Sequence, residues 1–110
     1  MSTPLQGLRT YLAAYEARDL DAIAALLADE VVLQDWNLRV AGRAAVLAET
    51  RRNFEAARSL RIEVLHVHAT GLRAAAELRI VVDDAVTLEV VDVLQFDAAG
   101  RICAIRAYKG

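Results

Sequence analysis

Three polar side chains, Tyr11, Asp35 and Asp92, stand at positions that the surrounding pattern would fill with hydrocarbon. Tyr11 belongs to an apolar stripe with helical spacing, and Asp35 directly follows a short apolar run. Asp92 lies in the strand-like stretch LEVVDVLQF, on the same alternating face as Val90 and Leu94. A carboxylate in an apolar setting usually pairs with a cation or stays protonated, because burying it ionised costs several kcal/mol. These three residues are therefore the first candidates for acid–base chemistry.

Each of the three residues also has a purely structural interpretation. Tyr11 could be a core tyrosine whose hydroxyl bonds a carbonyl, and Asp35 could be a turn aspartate at a strand end. Asp92 could form a buried ion pair with Arg106 or Arg79, although Arg79 has outward parity in its strand. Taken singly, none of the three residues specifies a function.

The first half of the chain predicts three helices and a short strand, beginning with the capping-box signature T-x-x-Q at residues 3–6. The predicted elements are a helix from Pro4, a second helix from Asp19 or Asp21, a strand over residues 31–33, a short returning strand within residues 36–41 and a third helix from Gly42 to about Arg58. Asp35 then lies at the end of the first strand.

The second half changes to the two-residue alternation of strands, and short turns join the strands at residues 60–68, 72–82, 86–96 and 101–108. Such neighbours pair antiparallel. The order predicts an α+β fold in which three N-terminal helices pack on a curved, mainly antiparallel sheet, with Asp92 facing the space between the two layers. His66 and His68 share the parity of the inward residues of their strand, so either could reach that space.

Length and charge narrow the class of protein. The 110 residues suit one domain spanning residues 1–110, and the apolar fraction of 56% allows a core together with a pocket or an interface. The net charge is −2 and the thirteen basic residues are scattered, which argues against a nucleic-acid partner. A single cysteine excludes an internal disulfide. No apolar run approaches 18 residues, so we expect a cytoplasmic protein without a membrane partner.

Three longer stretches match one known family. They are TYLAAYEARDLDAIAALLADEVVLQDW, AGRAAV and VVDVLQFDAAGRICAIRAY, and the last is the most specific. In these stretches the chain resembles Δ5-3-ketosteroid isomerase, within the NTF2-like (SnoaL-like) superfamily, over nearly its whole length. The resemblance implies a cone-shaped fold and an isomerase that acts on a small hydrophobic substrate carrying a carbonyl. It implies neither a metal nor an organic cofactor.

The resemblance also implies a role for each of the three polar residues. Tyr11 falls on the family's oxyanion-hole tyrosine, Asp35 on its general base and Asp92 on its protonated oxyanion-hole acid. Ketosteroid isomerase is itself the known example of a carboxylic acid kept neutral by an apolar site. Asp35 would remove a proton next to the carbonyl and return it at another carbon, while Tyr11 and Asp92 donate hydrogen bonds to the oxygen.

The predicted substrate pocket departs from the family at several positions. Its predicted lining is Tyr15, Trp36, Phe54, Leu78, Val90, Ile105 and Lys109. Trp36 stands where the family commonly has proline, and Lys109 stands where it has a pocket tryptophan. Thr50 replaces a tyrosine that supports the oxyanion-hole tyrosine, and Tyr15 could supply the lost hydroxyl.

Two other classes of function stay open. Another enzyme of the superfamily, a polyketide cyclase or an epoxide hydrolase, would also place acids in the cone. The hydrolase would need an Asp-Arg-Asp arrangement with Arg106 or Arg79 pointing inward. A small-ligand-binding domain without catalysis is the other class. In every case we expect a homodimer through the outer sheet face, whose apolar residues are predicted to be Leu65, Val67, Val81, Val91 and Val93.

Overall fold

The computed structural model describes residues 3–110, which form three helices and six strands. In chain order these elements are α1 (Pro4–Glu16), α2 (Leu20–Leu26), β1 (Leu27–Gln34), β2 (Arg39–Ala41), α3 (Arg43–Ala56), β3 (Leu60–Thr70), β4 (Arg73–Val82), β5 (Val86–Phe96) and β6 (Ile102–Lys109). The helices pack on a curved sheet, which confirms the predicted α+β class. Within the described residues, no helix is both long and apolar enough to cross a membrane.

Helix α1 begins at the predicted capping box. The Thr3 hydroxyl accepts a hydrogen bond from the Gln6 backbone N–H at 3.2 Å, and the Gln6 side chain accepts one from the Thr3 N–H at 2.9 Å. Two backbone donors that the helix itself leaves unpaired are thereby satisfied. Asp19 caps α2 in a similar way by accepting from the Ala22 N–H at 3.1 Å. Both helix starts therefore lie where the sequence predicts them.

A single sheet contains all six strands, in the order β2-β1-β6-β5-β4-β3. Neighbouring strands are antiparallel except β1 and β6, which run parallel. This pairing brings the ends of β1, β6 and β4 to the same edge as the starts of β5 and β3. We call this edge the mouth end of the sheet. Asp35, which follows β1, is therefore at the mouth end.

The hydrophobic core lies between the helices and the inner face of the sheet. Its fully buried side chains are Leu8, Ile23, Leu27, Val31, Val46, Leu78, Leu94 and Ile102. Helix α1 packs across β3, β4 and β5, and α3 packs on β1. The approach of α1 to β5 is close, because a Cβ atom added at Gly7 would lie 2.6 Å from the Phe96 ring.

Strand β3 departs from the predicted alternation. Its register against β4 shifts between Val64 and His66, so Leu65 forms a β-bulge. Because side chains alternate with a period of two, one extra residue exchanges the two faces beyond it. Val67 consequently packs against the core, and His66 and His68 are exposed on the outer face. The predictions that Val67 faces outward and that these histidines reach the cavity are therefore wrong.

Candidate active site

A cavity of about 300 Å³ lies between the inner face of the sheet and the helices α1 and α3. Its buried lining residues include Tyr11, Leu12, Leu33, Val90 and Ile105. Its exposed lining residues, which mark the opening at the mouth end, are Arg18, Trp36, Asn37, Asn53 and Ala56. The volume is at the lower end of the range found for small-molecule pockets.

Asp92 lies in the middle of β5 and reaches the cavity. Its cross-strand neighbours are Ala76 on β4 and Ala107 on β6, and these small side chains leave room beside the carboxyl group. Val90 and Leu94, on the same face of β5, are buried. The carboxyl is deep in the molecule although the cavity leaves it partly accessible, and burial raises its pKa to about 7.

Asp92 has no basic partner among residues 3–110. Arg106 pairs in register with Val93 on the outer face and is exposed. Arg79 lies on the same outer face, 3.5 Å from Glu63 and 3.7 Å from Glu89. The alternative interpretation of Asp92 as one half of a buried ion pair with either arginine is therefore wrong. Both side chains are separated from Asp92 by the sheet itself.

Tyr11 lies on the buried face of α1 and lines the same cavity. Within residues 3–110 its hydroxyl bonds no carbonyl, which separates it from an ordinary core tyrosine. Burial raises the pKa of Tyr11 well above its usual value, and the nearby Asp92 and Tyr15 add to the effect. The hydroxyl therefore stays protonated and can donate a hydrogen bond to a molecule in the cavity.

Asp35 shapes a tight turn at the mouth end and also lines the cavity. Its Oδ1 atom accepts hydrogen bonds from the backbone N–H groups of Asn37 at 2.7 Å and Leu38 at 3.0 Å. No donor in residues 3–110 bonds its Oδ2 atom. The predicted turn aspartate and the predicted base are therefore compatible, because one oxygen holds the turn and the other is available to a substrate.

Tyr15 lies one helical turn after Tyr11, with 5.9 Å between the ring centroids. Its hydroxyl oxygen accepts a hydrogen bond from the Asn53 side chain at 3.2 Å, so its own proton remains available to an acceptor in the cavity. Burial raises the pKa of Tyr15 and the Asn53 bond opposes this effect, while Asp92, Asp35 and Glu49 raise the pKa further. Tyr15 is thus close enough to Asp92 and Asp35 for their negative charges to raise its pKa.

Thr50 occupies the position of the supporting tyrosine of the resembled family but does not supply a hydroxyl to Tyr11. Its hydroxyl donates to the Val46 carbonyl of its own helix at 2.9 Å. Thr50 therefore contributes a buried wall to the cavity, whereas the Tyr15 ring lies 5.9 Å from the Tyr11 ring, centroid to centroid.

A protein-family model for the SnoaL-like domain matches residues 8–105, which is most of the chain. The chain belongs to the SnoaL-like domain family. The superfamily includes ketosteroid isomerases, polyketide cyclases and epoxide hydrolases. No curated protein matches the chain at a significant level.

Several solved structures share the fold of this SnoaL-like domain. An LEH-like epoxide hydrolase of M. tuberculosis is 22% identical, with a TM-score of 0.84 over 97% of this chain and 82% of that chain. A protein from Kribbella flavida DSM 17836 that is proposed to be a ketosteroid isomerase is 25% identical, with a TM-score of 0.82 over 94% of this chain and 75% of that chain. A proposed polyketide cyclase from Sinorhizobium meliloti is 20% identical, with a TM-score of 0.82 over 92% of each chain.

The SnoaL-like domain brings most of the predicted pocket residues into one cavity. Alongside Tyr11, Asp35 and Asp92, the residues Tyr15, Trp36, Phe54, Val90 and Ile105 line it. Leu78 does not, because it lies fully buried in the core where α1 covers β4. Lys109 does not either, because it is exposed with its Nζ atom 5.6 Å from the centre of the Trp36 ring, and it borders a separate, neighbouring pocket. These two pocket predictions are wrong.

The predicted pocket leaves out much of the cavity lining, including Arg18, Asn53 and Ala107. The alternation of β6 placed Ala107 on the inner face, but an alanine gives no sign of chemistry. Arg18 and Asn53 lie near the ends of α1 and α3, where polar residues are ordinarily solvated. Only the arrangement of the helix ends around the opening shows that they border the cavity.

Among the residues that the structure describes, no three His, Cys, Asp or Glu side chains are grouped so that they could hold a metal ion.

Proposed function

We propose that the protein is a cofactor-free isomerase of the ketosteroid isomerase type, which moves a proton between two carbons of a substrate that carries a carbonyl. The observation that carries the proposal is Asp92, a cavity acid without a cation, next to a buried Tyr11. A neutral carboxylic acid and a phenol that face one cavity can both donate to the same oxygen. The likeness to the Kribbella flavida protein adds support.

The reaction begins with Asp35 as the general base. Its carboxylate takes a proton from the carbon next to the carbonyl of a β,γ-unsaturated ketone. The electron pair of the broken C–H bond forms a double bond to the carbonyl carbon, and the carbonyl π pair moves to the oxygen, which gives a dienolate. The protonated Asp35 then returns the proton to the γ carbon, which gives the α,β-unsaturated ketone. The proton stays within the site, so the reaction needs no oxidant, metal or second substrate.

Tyr11 and Asp92 stabilise the enolate oxygen between the two proton transfers. Donors fixed in a water-poor cavity act strongly on charge that develops near them, because they need no reorganisation during the reaction. Ala76 and Ala107 support this role, since larger side chains beside Asp92 would fill the space that the oxygen must occupy. Val90 and Ile105 supply an apolar wall for the carbon skeleton.

The arginine positions weigh against an epoxide hydrolase. That reaction would need an arginine between two acids, and both Arg79 and Arg106 are on the outer face of the sheet. A ligand-binding domain without catalysis would bind an enone and leave its protons unchanged. Exchange of the enone's protons with deuterated water, followed by NMR, separates that possibility from an isomerase.

The decisive test is the substitution Asp35→Asn. The amide oxygen can still accept the two backbone hydrogen bonds of the turn, so the fold is expected to persist. Conversion of cyclohex-3-enone to cyclohex-2-enone, followed by absorbance, should fall by roughly 10³-fold, because general-base catalysis alone contributes about 10²–10⁴-fold.

The matched control is Asp29→Asn, an exposed acid on the same strand as the turn, which should leave the rate unchanged. Circular dichroism of both variants checks the fold. An Asp35→Asn protein that keeps the wild-type rate would exclude Asp35 as the base.

A further inference from the structure

The mouth of the cavity contains one positively charged lining residue within the described chain, Arg18. It follows Ala17, the C-cap of α1, and it has a positive φ of 55°. The residue that follows a helix in this left-handed region is commonly glycine, because a Cβ atom is disfavoured there. An arginine at such a position suggests that its side chain has a use that glycine could not supply.

The Arg18 side chain is held in place without being neutralised at close range. One of its terminal nitrogens donates to the Ala57 carbonyl, just after α3. Arg18 helps to lower the pKa of Asp83, although backbone bonds from Ser59 and Arg58 are the larger causes. No ion pair within 4.0 Å joins Arg18 to an acid among residues 3–110. The remaining guanidinium donors are therefore available.

The position of Arg18 separates it from both acids of the cavity. Its partner Ala57 precedes β3, whereas Asp35 follows β1, and three strands lie between β1 and β3 in the sheet. Asp92 is deeper, because its partner Ala76 lies six residues before the end of β4. At roughly 3.3 Å per residue, the backbone position of Asp92 and the mouth end of β4 are about 20 Å apart along the strand. The long arginine side chain shortens the distance that a substrate must span.

We propose that Arg18 binds a carboxylate at the end of the substrate opposite its carbonyl, so that the substrate is an apolar keto acid. This inference rests on the proposed function, because Tyr11 and Asp92 hold the carbonyl end. Arginine suits the task, since its planar donors match a carboxylate. A substrate with a two-ring skeleton would then be bound at both ends, its carbonyl by the neutral donors Tyr11 and Asp92 and its carboxylate by the charge of Arg18.

Three naphthalene ligands test the two ends separately, with calorimetry at pH 6. They are 6-hydroxy-2-naphthoic acid, its methyl ester, and 2-naphthoic acid, which lacks the hydroxyl group. The hydroxy acid should bind wild type about three- to tenfold more tightly than the ester, a range that allows for an exposed arginine. Added salt should weaken the binding of the acid and leave the ester unaffected.

The variants are Arg18→Gly, which suits the positive φ, and Arg18→Lys, which keeps the charge. Arg18→Gly should abolish the preference for the acid, and Arg18→Lys should keep part of it. Arg51→Gln, an exposed arginine elsewhere on the surface, should change nothing. The salt dependence in wild type remains a test even if the Arg18 variants fold poorly.

Each outcome bears on one end of the site. Equal binding of the hydroxy acid and its ester overturns the Arg18 inference and leaves the proposed function intact. An Arg18-dependent preference for acids that is indifferent to the hydroxyl group and to Tyr11→Phe supports Arg18 and overturns the oxyanion site. Failure of all three ligands to bind overturns both.

Discussion

At the scale of the residue, the protonation of Asp92 depends on its neighbours as much as on its depth. Alanines flank it on both adjacent strands, and the arginines of the same region face the other side of the sheet. Burial is the only cause that raises its pKa to about 7. One inward-facing arginine would reverse this effect, so the two alanines preserve the acid as well as the space in front of it.

The raised pKa of Asp92 predicts a stability that falls as the pH rises. The folded-state pKa is about 7 and the ordinary value is 3.8, so the folded state holds the proton more tightly than the unfolded chain. The contribution is fully present below about pH 4 and is lost by pH 7, up to roughly 4 kcal/mol in the free energy of unfolding. Urea unfolding between pH 4.5 and 7.5 measures this loss.

Asp92→Asn is the matched control, because the amide does not titrate and its unfolding free energy should lack this slope. The ionisation of Asp92 should also affect the pH dependence of kcat/KM. Wild-type kcat/KM should decline above about pH 7 as Asp92 ionises and stops donating, whereas Asp92→Asn keeps a donor and should show no such decline. A carboxyl-carbon NMR signal that shows Asp92 already ionised at pH 5 would contradict both expectations.

At the scale of the element, the packing of α1 against β5 gives Gly7 an unusual constraint. Gly7→Ala should gain about 1 kcal/mol of helix propensity. The new Cβ atom, however, would lie 2.6 Å from the ring of Phe96, which is only 5% exposed and has little room to move. Overpacking of this kind costs about 1–3 kcal/mol, so we expect net destabilisation in urea or thermal unfolding.

A double-mutant cycle separates the two effects. In the background Phe96→Leu, which removes the ring atoms at the point of contact, Gly7→Ala should become neutral or stabilising. Stabilisation by Gly7→Ala in the wild-type background would mean that α1 and β5 pack less closely than described.

The strands show where sequence patterns succeed and where they fail. The alternation of β5 is unbroken from Leu88 to Leu94, so it placed Asp92 correctly on the inner face. The alternation of β3 is interrupted by a bulge at Leu65, where no Gly, Pro, Asn or Asp marks an irregularity, so a strict alternation predicts the wrong face for His66, Val67 and His68. A bulge is decided by pairing with β4, which local periodicity does not report.

The site shows the same division. Tyr11, Asp35 and Asp92 could be found because each breaks a local pattern. Arg18 and Asn53 break none, since polar residues at helix ends are common, and only the tertiary arrangement brings them to the cavity.

At the scale of the whole molecule, the outer face of the sheet predicts a homodimer. Val81, Val91 and Val93 on this face are only partly covered, and Tyr108 is 55% exposed. Such a band is expected to be covered by a second copy. Sedimentation at micromolar concentration should give about twice the chain mass of 12.0 kDa.

Val91→Lys should shift the protein to a monomer without unfolding it, because Glu77 and Tyr108 are its cross-strand neighbours and tolerate a cation. Circular dichroism and sedimentation together make the comparison. A wild-type protein that sediments as a single 12.0 kDa chain would argue against the dimer.

The parallel pairing of β1 with β6 sets the order in which the site can form as the chain folds. Strands β3 to β6 are neighbours both in sequence and in the sheet, so their hairpins can close early and already hold Asp92. Leu33 must wait for Ile105, roughly 70 residues later, before the β1–β2 pair joins the rest of the sheet. Asp35 therefore reaches the mouth end only after the last strand of the chain has formed, whereas Asp92 already has its neighbours once β4, β5 and β6 have paired.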